Sequence, residues 1–170
     1  MDVEIIHTIY DYHYQRLREI WASIMQLSEE QFVQDVPYSM GSLRNHMVHL
    51  VDDDLSWFSL LEGKDRPQHM APEYFATRAE VRHKYDSTEA HILDFVRNID
   101  EAILRKEFAW HAPVASTPQR VMGWQVFLHV VNHGTDHRGQ ILRILHDFGA
   151  PSFDQDLMGY WVQTGKTVAQ

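Results

Sequence analysis

The chain has 170 residues, 44% hydrophobic and 23% charged, which is enough to bury one core and is the balance of a folded globular protein. Fifteen Lys and Arg against 24 Asp and Glu leave a net charge of −9, a field that repels a phosphate backbone and argues against nucleic-acid partners. There is no cysteine, which excludes disulfides, zinc–thiolate sites and a catalytic thiol carried by the protein; any transition-metal chemistry must rest on the 12 histidines and the carboxylates.

Four segments carry helical periodicity. The first opens at Asp2, a natural N-cap, and places Ile5, Ile9, His13, Leu17, Ile20 and Ile24 on one stripe. Ser28-Glu29-Glu30-Gln31 reads as a capped short turn of helix, and Pro37 ends that connection. A second helix spans Ser42 to Glu62, with Leu43, Met47, Leu50, Trp57 and Leu61 inward and Gly63 as its stop. After a linker containing Pro67 and Pro72, Thr77-Arg78-Ala79-Glu80 fits a capping box. The third helix then carries Val81, Tyr85, Thr88, Ile92, Phe95, Ile99 and Ile103 at bundle spacing.

From Phe108 to Val121 the pattern breaks, with Pro113 and Pro118 inside it; a connection this long suits a functional loop, with room for a small hairpin. The fourth helix runs from Gly123 to Phe148, closed by Gly149 and Pro151. Gly134 and Gly139 inside it each cost about 1 kcal/mol against Ala, for which close backbone packing is the expected compensation. Phe153, Leu157, Tyr160 and Trp161 predict a short C-terminal helix. The expected fold is all-α, a four-helix bundle with long connections plus that short helix, formed as one domain over residues 1–170. No apolar run approaches the roughly 18 residues that cross a bilayer, and Met1-Asp2-Val3-Glu4 opens acidic, unlike a secretory signal. A cytoplasmic protein without a membrane partner is expected.

The fourth helix interrupts its apolar stripe twice: Val126, Val130, His133, His137, Ile141, Ile144, Phe148. Positions four apart differ by about 40° in direction and about 6 Å in height, so two imidazoles can converge on one ion. Metal sites in bundles are built this way, from inward side chains on facing helices. The second helix offers His46 and His49 as a further ligand, and spacing alone does not choose between them. Asp52 and Asp53 are positioned to orient a histidine or supply an oxygen. His129 extends the row, although three successive turns span about 12 Å, too far for one ion. A metalloprotease helix would carry Glu directly after the first histidine; Gly134 stands there, which argues against peptide hydrolysis by that mechanism. His7, His69, His83, His91, His111 and His146 are expected to be hydrogen-bonded or on the surface.

The string Leu128-His-Val-Val-Asn-His-Gly-Thr-Asp-His-Arg-Gly-Gln140 resembles the signature helix of DinB/YfiT-like proteins. His49-Leu-Val-Asp-Asp-Asp-Leu-Ser-Trp57, with Leu61 and Gly63, is similar to that family's second-helix segment, and the likeness extends to Gly149. The resemblance implies a four-helix bundle with a three-histidine metal site. It places the ligands on His49, His133 and His137, selecting His49 over His46. It also implies transfer of a low-molecular-weight thiol, or else a hydrolytic or isomerising reaction, with zinc, nickel, manganese or iron as the ion, and a homodimer.

Three neutral imidazoles would leave the ion an open position for a thiol, or for water with Asp53 or Asp52 as its base. Because the chain has no cysteine, the thiol must arrive as a small-molecule co-substrate. Asn132 is expected to accept a ligand histidine's second N–H, Arg138 and Gln140 to tie the bundle, and Trp57 and Trp124 to form core or pocket wall. The competing expectation is a non-catalytic metal-binding bundle, its fourth ligand position closed by Asp53 or His129. A further one is a partner-binding bundle with a homodimer face around Tyr10, Tyr14 and Trp21.

Overall fold

The computed structural model describes residues 2–110 and 117–167; His111 and Pro113 lie outside these residues. Four long helices dominate: α1 (Val3–Ile24), α3 (Leu43–Glu62), α4 (Arg78–Arg97) and α6 (Gly123–Asp147). Short helices α2 (Glu29–Val33), α5 (Glu101–Arg105) and α7 (Leu157–Gln163) and a turn of 3-10 helix at Pro72–Tyr74 fill the connections. The break before α6 holds an antiparallel hairpin of β1 (Glu107–Trp110) and β2 (Gln119–Met122), as the sequence left room for.

The caps act where the sequence placed them. Asp2 accepts from the Glu4 N–H and Ser42 from that of Asn45, and capping boxes close at Ser28–Gln31 and Thr77–Glu80. The carboxyl end of α1 has no basic residue of its own; Arg78 supplies the charge by donating to the carbonyls of Ile24 and Leu27. Two expectations need correction. The third helix does not continue to Ile103: it ends at Arg97, and Asp100 starts α5 by accepting from the N–H groups of Ala102 and Ile103. The apolar periodicity runs through that break because α5 also buries a face, through Leu104. In α1 the expected stripe is buried from His13 through Leu17, Ile20 and Ile24, joined by Ile6, Tyr10, Tyr14 and Trp21, while Ile5 is exposed. Tyr10, Tyr14 and Trp21 are therefore core of the monomer and cannot form a homodimer face.

Around the bundle α1 packs on α6, α6 on α3, α3 on α4 and α4 on α1. Each long helix contributes one ring to a shared layer. Tyr10 and Phe58 stand 5.9 Å apart, Phe58 and Phe95 5.5 Å, Phe95 and Phe127 6.5 Å, and Phe127 and Tyr10 5.8 Å, all but one of these pairs edge-to-face. The Tyr10 hydroxyl donates to the Phe127 carbonyl at 3.2 Å, so the layer carries no unpaired phenol there.

About two turns further along α6, α1 packs closely against it at Gly134. A Cβ on Gly134 would lie 2.2 Å from Cε1 of His13, so only glycine lets the fully buried His13 ring pass. Arg138, also fully buried, donates to His13 Nδ1, Gln155 Oε1 and Thr135 Oγ1, each at 2.7 Å. It is thus satisfied by neutral acceptors, and burial lowers its pKa only to about 10, leaving it charged. Gln140 likewise ties the bundle, meeting Ser39 and donating to Asp136. Gly139 differs from Gly134: its nearest neighbour would be Gln155 Nε2 at 3.9 Å, so close packing explains one glycine and not the other. Gly134→Ala should accordingly cost about 1–3 kcal/mol through overpacking, while Gly139→Ala should gain about 0.5–1 kcal/mol. Denaturant unfolding of both variants checks the contrast; equal effects would contradict it.

Candidate metal centre

α3 runs antiparallel to α6, and this register builds the site. Trp57 faces His129, His49 faces His133, and His46 faces His137, as the numbering falls on α3 and rises on α6. His49 Nε2 and His133 Nε2 are 3.1 Å apart. Two ligand nitrogens bound tetrahedrally at 2.0–2.1 Å would be about 3.3 Å apart, so the separation suits a shared ion. The His137 ring sits 4.6 Å from that of His49 and 4.5 Å from that of His133. One nitrogen from each of the three rings can be taken with all within 4.8 Å, and among the described residues this group has three members. His49 and His133 are half-buried and His137 is buried, so the cluster lies near the surface of the bundle.

On two of the three rings a polar group stands beside one ring nitrogen, where metal-binding histidines commonly have a partner. His133 Nδ1 lies 3.2 Å from Asp53 Oδ2, within ion-pair range although not aligned as a hydrogen bond. His137 Nδ1 lies 3.2 Å from His46 Nδ1, which leaves its other ring nitrogen for the centre. His46 is fully buried and stands behind the cluster as a support. The sequence offered His46 only as a rival ligand, since its spacing on α3 says nothing of which ring on α6 it meets. Asp53 is placed to orient His133, as one reading of the sequence had it.

Other expected roles fall away. Asp52 takes the His69 Nδ1 and the Met70 N–H at 2.7 and 2.9 Å, tying the linker after α3, so it is not free as a base or ligand. Asn132 is exposed and lines a cavity with Tyr12 and Gln155, and among the described residues no hydrogen bond joins it to a ligand ring. His129 stacks on His133 at 5.8 Å and packs tilted against Trp57 at 4.6 Å, outside the cluster. Neither Asp53 nor His129 is directed at the centre as a fourth ligand. Trp57 is half-buried pocket wall, whereas Trp124 is exposed. Of the remaining histidines, His7 bonds the Val96 carbonyl, His91 faces Glu62, and His83 and His146 are exposed.

Burial, with the neighbouring imidazoles adding to it, lowers the pKa of His46, His133 and His137 to about 4. These rings are neutral at pH 7 and present lone pairs rather than charge. Asp53 is pushed up by burial and drawn back by His49, His129 and the Trp57 indole.

A four-helix bundle with a cluster of imidazoles between two antiparallel core helices is the class of protein that fold and site define. The chain belongs to the DinB family, which it matches over residues 1–166. It is 24% identical over 164 residues to Protein DinB of Bacillus subtilis (strain 168), an alignment covering 92% of this chain and 93% of that protein. A crystal structure of a DinB family member from Shewanella denitrificans superposes with a TM-score of 0.58 at 15% identity, over 92% of this chain and 89% of that one. At that identity the second likeness speaks to fold alone. No helix among the described residues is long and apolar enough to cross a membrane.

The lowered imidazole pKa values have a sign. In the unfolded chain these rings take protons near pH 6.5, and in the metal-free fold only near pH 4. Their contribution to stability is complete above pH 6.5 and is lost as pH falls toward 4. The melting temperature of metal-free protein should therefore drop across that window, more steeply than in His137→Ala; parallel pH profiles would contradict the assignment.

Proposed function

We propose that the chain is a divalent-metal-dependent enzyme of the DinB family, in which His49, His133 and His137 hold one ion for reaction of a low-molecular-weight thiol. The observation that carries the reading is the convergence of the three rings, with no fourth group in the cluster among the described residues. Catalytic sites keep a position open, whereas structural ones close it. A borderline-soft ion on three imidazoles would supply Lewis acidity, favouring the thiolate form of an arriving thiol near neutral pH.

The chain's own groups do the rest. Neutral His137 is steadied by His46, and His133 is steadied by Asp53. The Asp53 carboxylate borders a cavity beside the cluster and is the group placed to accept the thiol proton. The absence of cysteine leaves the protein no competing thiol of its own. The sulfur then attacks an electrophilic carbon of the acceptor as the leaving group departs, which makes the protein an S-transferase; water in the thiol's place would make it a hydrolase. The acceptor is a small molecule, and zinc, nickel, manganese and iron are all compatible with an imidazole donor set.

In metal-loaded protein given a thiol and an electrophilic acceptor, His133→Ala should reduce metal-dependent turnover to background. Asp53→Asn should lower it about 10²-fold at unchanged metal content. An undiminished rate in His133→Ala would overturn the enzymatic reading. A metal-raised melting temperature without turnover would instead make the cluster a pin between α3 and α6.

A further inference from the structure

Beside the histidine cluster lies a cavity of about 330 Å³, within the range of small-molecule sites. Its floor is a stripe of α3: Asp53, Trp57 and Leu60 at helical spacing, with Ser56 alongside. Trp110 of β1 lines it as well, packed on Trp57 with ring centroids 5.3 Å apart and tilted by 41°. Both indoles are only half-buried, so they offer aromatic surface to the cavity rather than to the bundle core.

The two ends of this slot differ in chemistry. At the inner end, Asp53 touches His133 and Trp57 packs on His129, so the cavity abuts the metal centre. At the outer end stand two cations from the segment after α3, Lys64 and Arg66. Glu62 neutralises Lys64 at 2.9 Å. Arg66 is held by its Nε, which donates to Ser56 Oγ at 3.3 Å, and among the described residues it pairs with no carboxylate. Ser56 lies three residues beyond Asp53, about 4.5 Å along the helix. A guanidinium fixed by one nitrogen, with its terminal nitrogens uncommitted, over an aromatic slot in a chain of net charge −9, is a local departure from the overall field.

We propose that this cavity is the acceptor subsite and takes a small molecule with a flat apolar body and a carboxylate. The body lies against Trp57 and Trp110, the carboxylate pairs with Arg66, and the other end of the molecule meets the Asp53–His133 edge. The role as acceptor subsite rests on the metal-dependent reading above; the binding itself does not need the metal.

The test therefore uses metal-free protein, with phenylacetate and its uncharged analogue phenylacetamide as probes, followed by tryptophan fluorescence and ligand-observed NMR. Phenylacetate should bind saturably and roughly tenfold more tightly than the amide. Arg66→Gln, an exposed position outside the core, should abolish that preference without changing the melting temperature. Trp57→Leu should weaken both probes. A preference that survives Arg66→Gln, or no saturable binding of either probe, would overturn the assignment. Binding of phenylacetate that appears only after zinc loading, and is lost in His133→Ala, would put the carboxylate on the ion and also overturn it. Metal content and turnover are measured separately, so failure of the subsite and failure of the metal-dependent reading are distinguishable.

Discussion

A slip of one helical turn between α3 and α6 would move His49 about 6 Å from His133 and strand three neutral imidazoles without a common centre. The register that prevents it is set outside the site. The ring layer of Tyr10, Phe58, Phe95 and Phe127 fixes the four long helices at one level. Gly134 and His13 set how closely α1 approaches α6, and Arg138 binds that contact to Thr135 and Gln155. Only then does antiparallel α3 bring His49 to His133 and His46 to His137. Gly134 has a second consequence: the position that a metalloprotease would give to glutamate is filled by α1.

Charge inside the bundle is sparing and deliberate. Burial pushes the Asp54 carboxyl up to about 8, so it stands protonated at neutral pH and accepts from the Tyr14 hydroxyl at 3.0 Å. The buried imidazoles are neutral as well, and Arg138 remains charged while bonded to neutral acceptors. Asp53, half-buried beside His133, is thus the carboxylate nearest the cluster. A neutral nitrogen donor set with one flanking carboxylate suits an ion that keeps most of its charge for the substrate.

Much of this was legible in the sequence because it is local. The caps at Asp2, Ser28, Ser42 and Thr77, the stop at Gly63 and the two histidines interrupting an apolar stripe are read within a few residues of chain. What escaped is set by contacts distant in sequence. Spacing could not decide between His46 and His49, because both face a histidine on α6 and only the register assigns one to the cluster and the other behind His137. Asp52 looked equivalent to Asp53 until the linker brought His69 and Met70 onto it. The stripe that runs to Ile103 conceals the break at Asp100, since a short second helix can bury the same face. Arg66 and Trp110 carry no motif; they meet only because the linker and the hairpin close over α3.

The proposed chemistry rests on His49, His133 and His137 forming one metal site. It is tested most directly by measuring metal content by mass spectrometry on untagged protein for the parent chain, His137→Ala and His129→Ala. About one divalent ion per chain is expected in the parent, retained in His129→Ala and lost in His137→Ala. A parent chain that carries no metal and takes up neither zinc nor nickel, or an ion retained in His137→Ala, would contradict it.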